Sequence, residues 1–195
     1  MRLLYSAYIK NPKNVCFDGE DNGEEVLLIL RKHVITNLSW ISISVLLFNM
    51  PEIMFFVFKL NGFSSWEVIP VSFRLILGMF WYAFSFGFVF VSFLTWYFSV
   101  NIVSTKRVVD IDFFGFINRR FSEALLTNIQ DLTHEISGVA ETIFNYGTLH
   151  IQTAGEKQEI EFEDIPRPSL AQDFISDLTR GVKADGVPDI KETNK

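Results

Sequence analysis

The sequence predicts an α+β membrane protein in which a two-helix transmembrane hairpin is followed by a small β-barrel, or a bent sheet, capped by a C-terminal helix. Two observations predict the helices, since residues 33–51 and 75–105 contain no Asp, Glu, Lys or Arg. A third observation predicts the β part, because apolar residues beyond residue 100 recur at every second position. The composition agrees: the chain has 21 phenylalanines, yet its mean hydropathy is only +0.23, so very apolar and quite polar stretches coexist.

The second apolar run carries the stronger transmembrane signal. A bilayer core of about 30 Å needs about 20 helical residues. Residues 75–98 exceed that length without one charged side chain. The alternative is the buried helix of a large soluble core, but no other part of the chain is large enough to enclose such a helix. The sequence therefore predicts a span over residues 75–98.

The first apolar run is interrupted by Pro51 and Glu52. A carboxylate at the bilayer centre costs about 2.5 kcal/mol or more. The depth of Glu52 in the bilayer therefore decides whether the run can be a membrane span. A helix that enters the bilayer at Val34 places Glu52 about 27 Å further on, near the opposite interface. We therefore predict a span over residues 34–51, with a single tilted helix to Phe58 as the alternative.

The distribution of basic residues predicts the orientation. Of the 17 Lys and Arg residues, five precede the first span, two lie in the connection and ten follow the second span. The positive-inside rule then places both termini in the cytoplasm, as in a multi-pass protein of the inner (plasma) membrane. The single cysteine, Cys16, excludes an internal disulfide and fits a reducing compartment.

These features predict four parts: a cytoplasmic lead over residues 1–33, a hairpin over 34–98, a β domain over 99–181 and a disordered tail over 182–195. The residues from 101 onward hold 10 basic and 16 acidic side chains and so carry the whole net charge of −6. The lead and the hairpin are each neutral.

Alternation marks the strands of the β domain. Val109, Ile111 and Phe113 alternate with Asp110 and Asp112, which predicts a strand with one buried face and one acidic face toward water. The segments 149–151 and 159–163 alternate in the same way, and the turn residues 154–157 between them predict a hairpin. A helix over residues 168–181 follows, with an apolar stripe formed by Leu170, Phe174 and Leu178.

Several blocks resemble one known family. The stretches "STKRVVDIDFFGF", "LLTNIQDLTHEIS", "NYGTLHIQTAG" and "IEFEDIPRPSLAQDFI" follow one another as in the bacterial pleckstrin-homology (PH) domain family. "GEEVLLILRKH", before the first span, is similar to the lead segment of its membrane-flanked members. The resemblance implies a barrel of about seven strands closed by a C-terminal helix on a two-helix anchor. It implies no activity.

Enzymatic chemistry is not predicted. The three histidines lie in separate segments without ligand spacing, and His150 is interpreted as an outward residue of a strand. Phosphate-binding glycine loops and nucleophile-elbow patterns are absent from the sequence. We therefore expect neither catalytic residues, a metal nor a cofactor, and no nucleic-acid partner.

Basic residues early in the β domain are the candidates for lipid head-group contacts: Lys106, Arg107, Arg119 and Arg120. Eukaryotic PH domains hold phosphoinositides with basic side chains in comparable regions. The same residues also follow the second span, where the positive-inside bias alone would place them, and their domain is acidic.

Small residues recur every seven positions along the second span and predict a helix-packing seam: Gly78, Ser85, Ser92 and Ser99. The seam packs either against the first span or against a second copy of the chain.

The function predicted first is that of a non-enzymatic integral membrane protein whose cytoplasmic PH-like domain is a membrane-fixed protein-interaction or scaffold module. Its partners would be membrane lipids and another membrane or cytoplasmic protein, or a second copy in a homo-oligomer. The contact surfaces would be strand edges and a groove beside Leu170, Phe174 and Leu178. One alternative is an anionic-lipid-sensing regulator. A weaker one, prompted by polar residues along the first span, is an accessory subunit of a transporter or pore-forming oligomer.

Overall fold

The structure, a computed structural model, describes residues 7–12, 15, 17, 19–21, 23–62, 69–115, 118–154 and 159–185. The predicted turn over 154–157 and the predicted tail over 182–195 lie mostly outside these residues.

Two long helices form an antiparallel pair: α1 (Asn37–Leu60), which follows a 3-10 turn at Val34–Thr36, and α2 (Val71–Phe98). Both are long and apolar enough to cross a membrane, over Val34–Leu60 and Val71–Phe98. Only 6% of the apolar window of each helix is buried, so the rest of the described chain encloses neither helix.

The first helix continues through Pro51 to Leu60, as in the single-helix alternative. A proline inside a helix has no N–H for the carbonyl four residues earlier, here that of Leu47. The indole N–H of Trp81 on α2 donates to this carbonyl at 2.9 Å. The second helix thus replaces the hydrogen bond that Pro51 removes from the first.

In the part of the chain that the structure describes, eight strands form two antiparallel sheets. The five-stranded sheet has its strands in chain order: β1 (Tyr8–Lys10), β2 (Val26–Arg31), β3 (Val100–Ser104), β4 (Arg107–Phe114) and β5 (Asn118–Leu125). The three-stranded sheet contains β6 (Ile129–Glu135), β7 (Tyr146–Thr153) and β8 (Glu159–Pro166). A short helix, α3 (Val139–Phe144), joins β6 to β7, and α4 (Pro168–Asp185) follows β8. The α4 helix runs beyond its predicted end at Gly181.

The predicted closed barrel is wrong for the described residues, whose strand ladders form two separate sheets. Closure would require β5 to pair with β6. Instead the chain turns through a 3-10 segment, Leu126–Asn128, which buries Leu126 in the core and starts a second sheet. The two sheets and α4 enclose one main apolar core.

The segment assigned by sequence to a separate lead supplies two strands of the larger sheet. β2 pairs with β3 from Val26 opposite Ser104 to Arg31 opposite Val100. Leu28 and Leu30 are fully buried in the main core. The β domain is therefore built from chain on both sides of the helix pair.

The acidic face of β4 does not meet water as the alternation predicted. Asp110 and Asp112 are only 4% and 7% exposed. They lie on the inner face of the sheet with Val108, while Val109 belongs to a second apolar cluster on the outer face. Both faces of β4 are therefore covered. The alternation distinguishes two buried faces, one with Asp110 and Asp112 and the other with Val109.

Candidate functional site

The connections between helices and sheet lie side by side at one end of the strands, here called the helix-proximal end. Only residues 32–36 separate β2 from α1, and only Ser99 separates α2 from β3. The Trp96 indole N–H donates to the Lys32 carbonyl oxygen at 3.2 Å and so joins the two connections. Ser99 Oγ accepts from the Phe113 backbone N–H at 3.3 Å. The helices therefore continue into the sheet without a free linker.

A lysine ties this junction to both sheets. Lys32 Nζ lies 2.6 Å from Glu163 Oε2 on β8 and 3.9 Å from Asp112 Oδ1 on β4. Burial alone would lower the pKa of Lys32, but the hydrogen bond and charge of Glu163, with the charges of Asp112 and Asp164, together raise it. Lys32 therefore stays charged at neutral pH.

A stacked pair of rings lies next to this lysine. The imidazole of His33 stacks on Tyr146 of β7 with ring centroids 5.2 Å apart, and the His33 backbone N–H donates to the Asp164 carbonyl at 2.8 Å. Burial lowers the pKa of His33 more than the charge of Asp164 raises it. Burial also raises the pKa of Asp164, helped by Glu163. The start of α1 is thus fixed to β7 and β8 by a neutral ring and a backbone hydrogen bond.

A cavity of about 590 Å³ opens beside this ring pair at the helix-proximal end. The start of α1, the end of α3 and the end of β8 surround this cavity. Its walls are formed by Ala7, Tyr8, His33, Val34, Phe144, Asn145, Pro166 and Arg167.

A second, smaller pocket of about 340 Å³ on the three-stranded sheet is strongly acidic. Its lining contains one histidine, five carboxylates and two hydroxyls: His150, Glu135, Glu141, Glu161, Glu163, Asp164, Ser137 and Thr148. Glu163 is also the partner of Lys32, so the pocket adjoins the junction. Its charge favours cationic groups.

His150 lies at the centre of carboxylates from neighbouring strands. Its Nδ1 lies 3.0 Å from Glu159 Oε1 and 3.7 Å from Glu161 Oε1, and its Nε2 lies 3.8 Å from Glu135 Oε2. Ligand atoms of His150, Glu159 and Glu161 lie within 4.8 Å of one another, which is close enough to share a metal ion. The glutamates are exposed and face the histidine across the sheet, so these contacts are ordinary side-chain pairs between neighbouring strands.

A third charged cluster occupies the opposite, distal end of the larger sheet. The Arg107 guanidinium lies 3.0 Å from Glu24 Oε2, 2.8 Å from Asp21 Oδ2 and 3.1 Å from Glu123 Oε2. The Glu24 side chain is fully buried and accepts a further hydrogen bond from the Ser104 hydroxyl. Burial would raise the pKa of Glu24, but its hydrogen bonds from Ser104, Asp21 and Arg107 together lower it. This cluster holds the turn between β3 and β4.

The structure separates the four basic residues proposed from sequence as head-group contacts. Lys106 and Arg107 lie at the distal end, where both form ion pairs with Asp21. Arg119 and Arg120 lie on β5 opposite Phe113 and Asp112, and the Phe113 ring packs on Phe98 at the end of α2 with centroids 5.4 Å apart. One pair is therefore distant from the helices and the other adjoins them.

The proposed packing seam on α2 is not uniform. Ser85 is fully buried and its hydroxyl donates to the Trp81 carbonyl, and Ser99 is buried at the junction. A Cβ added at Gly78 would meet nothing within 4 Å. Ser92 is intermediate in exposure. The structure therefore brings Ser85 and Ser99, but not Gly78, into a packed environment.

The proposed apolar stripe of α4 divides between core and surface. Leu178 is buried in the main core, Phe174 packs against it, and Leu170 is 48% exposed. Lys10 of β1 lies over the Phe174 ring, 4.8 Å from its centroid. Most of the proposed groove residues thus hold α4 on the sheets.

Comparison with known families decides the identity of the domain. A family model described as a bacterial PH domain matches residues 46–179, more than half of the chain. The chain belongs to the bacterial PH domain family. The resemblance predicted from the sequence blocks is therefore confirmed.

The PH domain of this chain also resembles a solved protein. A DUF1696 family protein with a pleckstrin-homology domain from Shewanella loihica PV-4 is 17% identical, with a TM-score of 0.33 over 42% of this chain and 70% of that chain. No protein of curated function matches the chain in sequence. A PH domain is in general a non-catalytic module for binding proteins or lipids.

The match begins inside α1, whereas the sheet of this PH domain also includes β1 and β2. Sequence reasoning missed this strand pair, and it missed the carboxylates around His150. The second omission was avoidable, since extending the β7–β8 hairpin back from its turn places His150 opposite Glu161. The pairing of β2 with β3 had no local signal, because the helix pair separates these strands in the chain.

Proposed function

We propose that the chain is a non-enzymatic membrane protein whose α1–α2 hairpin crosses the bilayer and fixes its PH domain at the cytoplasmic face as a protein-interaction module. The domain supplies a binding surface, and the helices supply its location and orientation. Membrane lipids and a second protein, which includes a further copy of the chain, are its partners.

One observation carries the membrane assignment: the fully buried side chains of the helix pair are polar, and most of its large apolar side chains are exposed. Among the described residues of the two helices, only Asn37, Ser44 and Ser85 are buried. Apolar side chains along both helices are exposed, including Leu46, Phe56 and Phe80 at 57%, 62% and 73%. A soluble helix pair would show the reverse, whereas hydrocarbon solvates such a surface and small polar residues hold membrane helices together.

The junction supports the rigid orientation of the domain. Lys32 and Ser99 join the two connections to the sheets, and Trp96 joins α2 to the connection at Lys32. With residues 32–36 and Ser99 as the only connections, the sheet begins within a few ångströms of the helix ends. A PH domain held in this way needs no lipid affinity of its own to stay at the membrane.

The edge strand β5 is the proposed surface for a protein partner. Among the described strands it pairs with β4 on one side and is the last strand of the larger sheet on the other. The last strand of a sheet is the place where an incoming strand can add. Phe121 and Leu125 on this strand are 43% and 50% exposed.

The proposal predicts crosslinks from β5 to a second polypeptide in native membranes. A photoreactive residue at Phe121 should give a discrete crosslinked species, while the same residue at exposed Thr133 on β6 serves as the control. A carbonate wash should leave the chain in the membrane fraction. Release by carbonate, or equal crosslinking from both positions, would refute the proposal.

Arg119 and Arg120 favour a second function, that of an anionic-lipid sensor, since they adjoin the end of α2. The test must use the full chain, because a fragment starting at residue 101 lacks β1 and β2. Retention of anionic lipid by the purified protein should then fall with increasing salt and in an R119Q/R120Q variant, but not in K106Q. Equal retention in all three proteins would exclude this function.

A further inference from the structure

An exposed apolar ridge lies on and beside the short helix α3. Val139 and Ile143 are 77% and 69% exposed, and Phe144 and Ile136 are 48% and 37% exposed. We call these four residues the α3 ridge. The domain already has a packed core, so neighbouring exposed apolar side chains of this size indicate a surface that is covered in the working state.

The ridge is held in a defined conformation. Gly138, at φ +123°, precedes α3, and Asn145, at φ +51°, ends it. The Thr142 backbone N–H donates to the Gly138 carbonyl at 3.1 Å. Val139 and Ile143 are four positions apart and so share one face of the helix.

Charge is absent from this face and concentrated on the other side of α3. Glu141 accepts a hydrogen bond from the Ser137 backbone N–H and lines the acidic pocket. Phe144 lines the other cavity, next to Val34 and His33. The helix therefore divides a carboxylate pocket from an apolar surface.

The position of the ridge indicates what covers it. Val34 is the first residue of the first candidate membrane span, and Phe144 and Val34 line one cavity. Tyr146, two residues after Phe144, stacks on His33. The ridge therefore lies beside the point where α1 would enter the bilayer.

We propose that the α3 ridge inserts into the cytoplasmic leaflet, as a third membrane contact beside α1 and α2. This inference rests on the proposed function, because it requires a bilayer that begins near Val34. The insertion is shallow, about 5–10 Å into the boundary between head groups and acyl chains, as for other interfacial apolar helices. The nearby carboxylates mean that apolar burial, rather than attraction to anionic lipid, drives it.

Insertion of the ridge would fix the tilt of the PH domain. The junction holds the domain on the helices, but a helix pair alone can tilt in the bilayer and carry the domain with it. A contact on the β6–β7 side removes that freedom and presents one fixed face to the cytoplasm.

The test is depth-dependent quenching in the full-length protein, reconstituted in vesicles of zwitterionic lipid. Single cysteines replace Ile143, Val45 or Thr127 in a Cys16→Ser background and carry an environment-sensitive fluorophore. Val45 lies about 16 Å along the helix from Val34, near the bilayer centre. Thr127 is exposed at the distal end of the sheets.

The proposal predicts that the label at Ile143 is quenched more by lipids labelled near the head group than by lipids labelled deep in the chain. The label at Val45 should show the reverse order, and the label at Thr127 should not be quenched. Quenching at Val45 without quenching at Ile143 overturns the ridge proposal alone. Absence of quenching at Val45 overturns the proposed membrane span itself.

A double variant, V139S/I143S, provides a second readout. Both side chains are exposed, so their replacement should leave the thermal unfolding of the protein unchanged. A fluorophore on Phe144→Cys should lose its shallow quenching in this variant, at low and at high salt alike. Unchanged quenching, or quenching abolished by salt alone, would contradict insertion by the ridge.

Discussion

The Trp81 indole N–H donates to the Leu47 carbonyl oxygen at 2.9 Å, four residues before Pro51. In water such a carbonyl would be solvated. In hydrocarbon, an unpaired backbone carbonyl costs several kcal/mol, and neighbouring helices are the usual source of a substitute donor. The pair Trp81–Leu47 therefore explains how a proline lies inside α1 without ending it.

This relationship predicts a non-additive pair of substitutions. Trp81→Phe removes the indole donor and should destabilise the helix pair by about 1–2 kcal/mol. Pro51→Ala restores the N–H of residue 51 as donor to Leu47, so Trp81→Phe should cost less in that background. Unfolding of the four proteins in a mild detergent gives the coupling free energy. Equal costs of Trp81→Phe in both backgrounds would rule out the compensation.

At the distal cluster, Glu24→Gln should destabilise the PH domain. The substitution leaves the Arg107 guanidinium with its exposed partners only, at a cost of about 2–4 kcal/mol for a broken buried pair. Glu123→Gln is the matched control, and its half-exposed side chain should cost less than about 1 kcal/mol. Chemical unfolding at neutral pH compares the two variants.

The loss of stability caused by Glu24→Gln should depend on pH. The pKa of Glu24 in the folded protein lies below its ordinary value of 4.5. Its charge therefore stabilises the fold fully above pH 4.5, and that contribution is lost as pH falls through the lowered pKa. The difference between wild type and Glu24→Gln should shrink as the pH falls below 4.5, and a constant difference would be evidence against a charge effect.

Asp164→Asn should stabilise the domain at neutral pH. Burial and the charges of Glu163 and Glu141 raise the pKa of Asp164 above 3.8, so the folded state favours the neutral acid. Stability therefore falls as pH rises from 3.8 through the raised value. Asparagine keeps the left-handed backbone at φ +53° and removes the charge, for a gain of up to about 1 kcal/mol after allowance for solvent screening.

The gain from Asp164→Asn should vanish below pH 3.8, where both side chains are neutral. Asp177→Asn, on the exposed face of α4, is the control and should change little at either pH. Thermal unfolding of the wild type and both variants, at neutral pH and below pH 3.8, measures these changes in stability. Destabilisation by Asp164→Asn at neutral pH would mean that the interaction with Lys32 outweighs burial.

Gly147→Ala should strongly destabilise the three-stranded sheet. A Cβ at this position would lie 2.3 Å from the Glu135 carbonyl oxygen on β6, so the strands would have to separate. The expected cost is about 1–3 kcal/mol, typical of overpacking. Gly87→Ala meets nothing within 4 Å and should be neutral or stabilising. Similar melting temperatures for both variants would show that β7 moves away at little cost.

The elements that the sequence predicted well have strong local patterns. Both long helices follow from charge-free runs, and β4, β7 and β8 follow from alternation. The features that the sequence did not predict depend on pairing between distant parts of the chain. The β2 strand joins β3 across the helix pair, and the partner of the buried Asp112 is Lys32, which lies outside the predicted β domain. The junction could not be predicted for the same reason, because Lys32 and Glu163 are 131 positions apart in the chain.

In the proposed topology, α1 and α2 cross the membrane and the PH domain lies in the cytoplasm. Labelling of single cysteines by a membrane-impermeant maleimide in intact cells tests it most directly, with Asn61→Cys and Thr127→Cys in the Cys16→Ser background. Asn61 ends α1 and Thr127 lies between β5 and β6. With this topology, position 61 should be labelled in intact cells and position 127 only after permeabilisation. Labelling of position 127 in intact cells, or protection of both positions until permeabilisation, would contradict it.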